Sequence, residues 1–284
     1  MPIAVAETIR ELRTITAEAR AAGKKVALVP TMGALHDGHL ALVRRAAEIA
    51  DLVVVSIFVN PLQFGPTEDL ERYPRTLAED LAQLGPLGVS AVFAPSASEM
   101  YPTDASDTRV IAGRIGSLFE GRTRAGHFDG VLTVVSKLLN ITEPDAVVFG
   151  QKDAQQVFLV ERMIVDLNVP VTVEVVATVR EEDGLALSSR NRFLDAKERR
   201  AARGLSIALE AAESSADRGI DAVLAAAQSA LMGEHLVELD YLAVVDPQTF
   251  LPVDDTHQGR AIVLVAARVG TTRLIDNETI FLAG

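Results

Sequence analysis

Val26-Ala27-Leu28-Val29-Pro30-Thr31-Met32-Gly33-Ala34-Leu35-His36-Asp37-Gly38-His39 carries an apolar strand through a glycine-containing turn to two histidines at the start of a helix. Such a turn handles phosphates: the first N–H groups of a helix lack intrahelical partners, and the helix dipole adds partial positive charge there. Histidines three residues apart share one face of that first turn. Each imidazole can donate an N–H to a phosphate oxygen, and a ring titrating near ~6.5 can also give a proton to a leaving oxygen. Gly33 and Gly38 let backbone and ligand approach closely. The same pair of rings could hold a metal or be ordinary structural histidines. A closed metal site needs more ligands, though, and only Asp37 is near in a chain with no cysteine. Phosphate is the better reading.

Outward from this turn, strand and helix periods alternate from residue 7 to about 178. An amphipathic helix with Ile9, Leu12 and Ile15 precedes a strand at 25–30, and the helix opened by His39 ends near Asp51. Residues 52–59 are too continuously apolar for a half-exposed strand and fit a parallel strand covered on both faces. Further strands are expected at 90–94, 146–149 and 171–176, with helices at 76–84, 130–140 and 154–167. The alternation predicts a doubly wound, Rossmann-like parallel α/β sheet over residues 1–178, with ligands beyond the carboxyl ends of its strands. Residues 179–284 read as a smaller α+β lid domain. It holds two alanine-rich helices at about 195–216 and 220–232 and three strands at 236–245, 260–268 and 273–282.

Composition narrows the function classes. The 284 residues carry a formal net charge of −12, which opposes nonspecific binding to nucleic acid or anionic membrane, so local basic clusters must do any anion binding. Without cysteine there is no thiolate nucleophile, disulfide framework or cysteine-ligated metal. No apolar run approaches the ~20 residues of a membrane span, and Met-Pro-Ile-Ala-Val-Ala-Glu is too briefly apolar for a secretory signal, so a cytoplasmic protein is expected.

Neither GxGxxG after a strand nor GxxxxGK[ST] occurs, so a doubly wound domain here needs another nucleotide signature. His36-Asp37-Gly38-His39 matches the HxGH motif of the nucleotidyltransferase superfamily. Leu187-Ser188-Ser189-Arg190, preceded by Asp183-Gly184, offers two hydroxyls and a guanidinium to a triphosphate and resembles the KMSKS-type loop of that superfamily. Taken alone it is an ordinary surface loop. In Phe149-Gly150-Gln151-Lys152-Asp153-Ala154-Gln155-Gln156, Lys152 can meet phosphates, Asp153 a ribose hydroxyl and the glutamines a small polar substrate, while Asp153 can also cap a helix. Asn60 and Gln63 follow a buried strand and can bond a ligand or merely tie their loop. Arg122, Arg124 and His127 can clamp an anion or be solvated. Glu79 and Asp80 could hold magnesium, but a solvent face is the better reading. His235 and His257 have no motif around them.

In order along the chain, Pro30 to His39, Phe58-Val59-Asn60-Pro61-Leu62-Gln63-Phe64, Tyr73-Pro74-Arg75, His127-Phe128-Asp129-Gly130-Val131, Phe149 to Asp153 and Asp183 to Asn191 closely resemble the pantothenate synthetase (pantoate–β-alanine ligase) family. The resemblance implies ATP-dependent ligation of pantoate and β-alanine through pantoyl adenylate, with release of pyrophosphate and AMP, a step toward coenzyme A. It implies that Met32, Gly33, Ala34, Leu35, His36, Asp37, Gly38 and His39 surround ATP, His39 as proton donor to pyrophosphate and His36 as a phosphate ligand. Gly150, Gln151, Lys152, Asp153, Val179, Leu187, Ser188, Ser189 and Arg190 would complete the nucleotide site, with Lys152 grouped with the histidines as catalytic. Gln63 and Gln156, with Asn60, would hold pantoate. Gln151 and Leu187 depart from the commoner glutamate and methionine, which touches nucleotide contacts rather than the chemistry. Magnesium on the phosphates, with no protein ligand named, and a homodimer are also implied. A transferase that stops after moving AMP, a tRNA synthetase and an inactive nucleotide-binding regulator are rival readings. The acidic, short chain disfavours the synthetase, and the intact histidines disfavour the regulator.

Overall fold

The computed structural model describes residues 3–65, 70–71, 73–103 and 108–283. The first half of the chain gives β1 (Ala4–Ala6), α1 (Ile9–Ala21), β2 (Val26–Thr31), α2 (Asp37–Ile49), β3 (Leu52–Ile57), α3 (Leu77–Leu84), β4 (Ala91–Phe93), α4 (Ala97–Met100), α5 (Glu120–Thr123), α6 (His127–Thr142) and β5 (Ala146–Gly150). There follow α7 (Ala154–Asp166), β6 (Thr172–Val176), α8 (Ala196–Ala202), α9 (Gly204–Glu213), α10 (Ile220–Leu231), β7 (Val237–Val245), β8 (Gly259–Val269) and β9 (Thr272–Leu282). Among the described residues no helix is long and apolar enough to cross a membrane.

Six parallel strands form one sheet in the order β1-β4-β3-β2-β5-β6. From β2 the chain first builds toward β3 and β4, then returns to place β5 on the other side of β2. The β2/β5 boundary is therefore the topological switch point, where such sheets bind ligands. β2 pairs with β5 only at Ala27 and Leu28. Pro30, which has no N–H to give a ladder, lies beyond that pairing, near the carboxyl end where the strand turns toward His36. The core of this layer is aliphatic: Ala27, Val29, Val43, Val53, Val55 and Val92 are fully or almost fully buried together.

The remaining three strands form a separate antiparallel sheet in the order β7-β8-β9. Ala202, Leu205, Ala208, Leu209, Val223 and Ala227 of the helices share a core with Val263, Val265 and Leu282 of this sheet. The chain divides into two compact units, one holding residues up to Gly150 with Leu159–Val176, the other Gln151–Phe158 with residues from Ala177 on. The change of pattern in the sequence predicts a single cut after residue 178. In the structure the short segment 151–158, at the end of β5 and the start of α7, groups with the second unit.

Three local expectations need correction. The strand Ala4–Ala6, paired with Ala91–Phe93, precedes the first helix. Helix α2 starts at Asp37 rather than His39, with His36 as its N-cap. The expected single helix at 195–216 is two, broken at Arg203, with Gly204 opening the second. Its start is well defined by a capping box, with Asp195 accepting from the Glu198 N–H and Glu198 reaching back to the Asp195 N–H.

Candidate active site

The turn between β2 and α2 is braced from beneath. Thr31 Oγ1 donates to the Ser56 carbonyl at 2.7 Å and accepts from the Gly33 N–H at 3.2 Å. Asp80, on α3, accepts from the Leu35 N–H at 2.8 Å, the Ala34 N–H at 3.2 Å and the Thr76 hydroxyl at 3.2 Å. Asp80 is 1% exposed, so its expected place on a solvent face is wrong. An amphipathic helix with adjacent acids looks solvated in sequence, and the two amides that use this carboxylate lie about forty-five residues earlier in the chain. The support lets two successive residues take positive φ, Gly33 at 81° and Ala34 at 51°. A side chain at Gly33 would press on Asp80 Oδ2 and Ile57 Cγ2, both 3.0 Å from an added Cβ.

The two histidines have different surroundings. His36 caps α2, its Nδ1 accepting from the Gly38 N–H at 3.2 Å. A ring that accepts at Nδ1 carries its proton on Nε2 when neutral, so His36 loses its cap bond if Nδ1 is protonated. The ring centroids of His36 and His39 lie 4.1 Å apart. His39 is the ring whose protonation leaves the cap intact.

Gln63 is held just as firmly. Its Oε1 accepts from Asn60 Nδ2 at 3.1 Å, and its Nε2 points at Met32 Sδ at 3.1 Å. Asn60 is buried, and its amide is fully used: Nδ2 donates to Gln63 and to the Gly130 carbonyl at 3.0 Å, while Oδ1 accepts from the Leu62 N–H at 3.2 Å and the Tyr101 hydroxyl at 2.8 Å. With all four hydrogen-bonding positions taken, Asn60 braces Gln63. Burial pushes the Tyr101 hydroxyl up to about 12, against the opposing pull of Arg109, so it stays a donor.

His127, the first residue of α6, is also buried. Its Nδ1 lies 2.9 Å from the Gln63 carbonyl and its Nε2 2.8 Å from Arg124 Nη1. A carbonyl only accepts and a guanidinium only donates, which makes His127 a neutral ring with its proton on Nδ1. Of the expected basic cluster, Arg122 is exposed, whereas Arg124 is tied through His127 to the backbone of Gln63. Sequence reasoning missed this link because it joins a side chain to a backbone carbonyl sixty-four residues earlier.

The second unit carries the other expected nucleotide contacts. Gln151–Asp153 forms a single 3-10 turn entering α7, with Lys152 Nζ 3.8 Å from the Asp153 carboxylate. Gln155 is buried and Gln156 half-buried. Residues 179–187 make a tight hairpin that brings Val179 and Leu187 together, the Leu187 N–H donating to the Val179 carbonyl at 2.9 Å. Gly184 turns it at φ 89°. Ser188 then caps the short turn Ser189–Phe193, its Oγ accepting from the Arg190 N–H at 3.2 Å, while Arg190 itself is exposed.

An ion-pair network holds this loop. Asn191 Nδ2 donates to Glu181 Oε1 at 2.9 Å and to the Ala186 carbonyl at 3.1 Å, and Arg199 reaches Glu181 at 2.6 Å and Asp183 at 3.1 Å. The hydrogen bond from Arg199 holds the Glu181 carboxyl below the usual carboxylate range, outweighing its partial burial. Because the folded pKa is lowered, the stabilisation is present above the unfolded value of about 4.3 and is lost as pH falls through the folded value. Glu181→Gln is expected to lower the melting temperature by a few degrees at pH 7, the scale of about 1 kcal/mol. That gap should close below about pH 4. A gap unchanged down to about pH 3 in calorimetric scans would refute the pairing.

Among the described residues no three His, Cys, Asp or Glu side chains converge to hold a metal ion.

A family model described as pantoate-beta-alanine ligase matches residues 4–279. The chain belongs to the pantoate-β-alanine ligase family. Pantothenate synthetase of Leifsonia xyli is 58% identical over 272 residues, covering 95% of this chain and 94% of the relative. Pantothenate synthetase from Thermus thermophilus matches in structure with a TM-score of 0.90 at 46% identity, over 97% of this chain and 99% of that one. Pantoate-beta-alanine ligase from Francisella tularensis, complexed with beta-gamma ATP and beta-alanine, matches with a TM-score of 0.79 at 33% identity, over 97% of both chains. The family match spans both compact units, so membership rests on the whole chain rather than on the HxGH turn alone.

Proposed function

We propose that this chain ligates pantoate to β-alanine at the expense of ATP. A pantoate carboxylate oxygen attacks the α-phosphorus, the bond to the β-phosphate oxygen breaks and pyrophosphate leaves. The β-alanine amine then attacks the acyl carbon of pantoyl adenylate, the bond to the AMP oxygen breaks, and the nitrogen loses a proton to give pantothenate. The observation that carries this reading is the family match over residues 4–279. Both attacking groups come from substrates, in keeping with a chain that has no cysteine. Acceleration then rests on alignment and on stabilising charge at phosphorus.

Met32 to His39 would lie along ATP, with the N–H groups at the start of α2 facing phosphate. His36 would donate from Nε2, and His39 would protonate the departing pyrophosphate. Lys152, Ser188, Ser189 and Arg190 would neutralise phosphate charge, with Gly150, Gln151, Asp153, Val179 and Leu187 along the nucleotide. Gln63 and Gln156 would grip pantoate. Magnesium would arrive on the phosphates of ATP with its own waters, an arrangement that needs no protein cage. A cytoplasmic homodimer acting on these small molecules completes the reading.

The test is AMP release by the purified protein with pantoate and β-alanine added singly and together. AMP is expected only with both; release independent of β-alanine would overturn the ligase reading. Gln63→Ala is expected to weaken pantoate at least tenfold while changing ATP less than threefold, about the scale of one lost buried hydrogen-bonding group. Equal losses in KM for the two substrates would remove Gln63 from the pantoate site.

A further inference from the structure

Strand alternation on β9 points inward at Thr272, Leu274, Asp276, Ile280 and Leu282, all buried. Asn277 belongs to the opposite face and is nevertheless only 3% exposed. The turn at 151–152 covers it. Asn277 Nδ2 donates to the Gln151 carbonyl and to the Lys152 carbonyl, each at 2.9 Å, and its Oδ1 accepts from Gln151 Nε2 at 3.3 Å. Two successive carbonyls aimed at one point need a group with two hydrogens on one atom. An amide supplies them, whereas a carboxylate of the same shape would set oxygen against oxygen.

Its neighbour anchors the strand to the other nucleotide segment. Asp276 is buried and takes a bidentate bond from Arg180, at 2.5 and 3.2 Å, and Arg180 also donates to the Gly184 carbonyl at 3.3 Å. Asp276 Oδ1 further accepts from the Asn277 N–H at 2.8 Å. One dipeptide thus ties the Lys152 turn and the 179–187 hairpin to the same strand.

We propose that Asn277 is a positioning residue for Lys152, fixing the backbone from which that side chain reaches the phosphates of ATP. The inference rests on the assignment of Lys152 as a phosphate ligand. Asn277 itself touches no substrate. Its effect is exerted on nucleotide affinity and on adenylate formation, because a displacement of about 1 Å at a charged group can cost up to ~10²-fold.

A double-mutant cycle on the full-length protein separates positioning from bulk stability. MgATP affinity is measured by titration calorimetry, and pantoate-dependent ATP–pyrophosphate exchange in parallel, for wild type, Asn277→Asp, Lys152→Ala and the double variant. Asn277→Asp is expected to weaken ATP about tenfold when Lys152 is present and less than twofold when it is absent, with KM for pantoate unchanged. Asn277→Ser, which keeps one donor, is expected to fall between wild type and Asn277→Asp, and it takes the place of the aspartate variant should that one not fold. Equal losses in the two Lys152 backgrounds, or no loss at all, would overturn the proposal. Wild-type protein that binds ATP without pantoate-dependent exchange would remove the ligase reading and leave the affinity cycle decisive for Asn277. Wild-type protein that does not bind ATP would overturn both.

Discussion

Replacing His39 by alanine is expected to lower pantoate-dependent ATP–pyrophosphate exchange by about 10²–10⁴-fold, the usual contribution of a general acid, with the fold intact. The size of the effect follows from how differently the two rings are held. His36 is committed to α2, because its Nδ1 accepts from the Gly38 N–H. Protonating that nitrogen forfeits the cap, so His36 is better suited to donate a fixed N–H than to cycle a proton. His39 sits one turn further in, with its ring 4.1 Å from that of His36. Its substitution leaves the cap, the Thr31 bond and both Asp80 bonds in place. Alanine also favours a helix at this position, so melting temperature should change by no more than a few degrees. His36→Ala should instead lose stability together with activity, since removing an N-cap costs about 1 kcal/mol. Near-normal exchange in the His39 variant would take the proton-donor role away from it.

What is legible in the sequence is what depends on local pattern. The continuous apolar run at 52–57 and the strand entering HxGH announce buried parallel strands, and each of the three strand runs after residue 230 forms a strand. Ala4–Ala6 escapes such a reading because three residues are too few to show a period, and the strand exists through pairing with Ala91–Phe93. The site is legible as a set of chemical groups and obscure as a set of supports. His36, His39 and Gln63 stand out as candidates by type and position. Asp80, His127 and Asn277 act on residues far away in sequence, through hydrogen bonds that have no periodic signal. Asn60 is equally opaque: an amide beside a strand end suggests a ligand contact, and only the structure shows its four hydrogen bonds inside the protein. A glycine in the middle of a helix is the remaining clue of this kind.

Gly130→Ala is expected to destabilise the protein and to weaken pantoate, although the same change in an ordinary helix interior stabilises by about 1 kcal/mol. The reversal comes from how closely α6 passes the turn that carries Gln63. A Cβ at residue 130 would lie 2.2 Å from the Leu62 carbonyl oxygen, 2.4 Å from its carbon and 2.6 Å from the Gln63 nitrogen. All three are backbone atoms, so no rotamer change relieves the overlap. Either the helix or the turn must move by on the order of 1 Å, and overpacking of that kind costs about 1–3 kcal/mol. The displacement acts directly on the amide that Asn60 orients, because the Gly130 carbonyl accepts from Asn60 Nδ2 while Asn60 donates its other hydrogen to Gln63. His127, three residues earlier on the same helix, holds the Gln63 carbonyl, so the strain cannot be absorbed by letting the turn drift. The expected result is a melting temperature lower by several degrees and a pantoate KM raised at least tenfold, with ATP affinity changed far less. A Gly130→Ala protein that melts at or above the wild-type temperature with unaltered pantoate KM would mean that α6 does not set the position of Gln63.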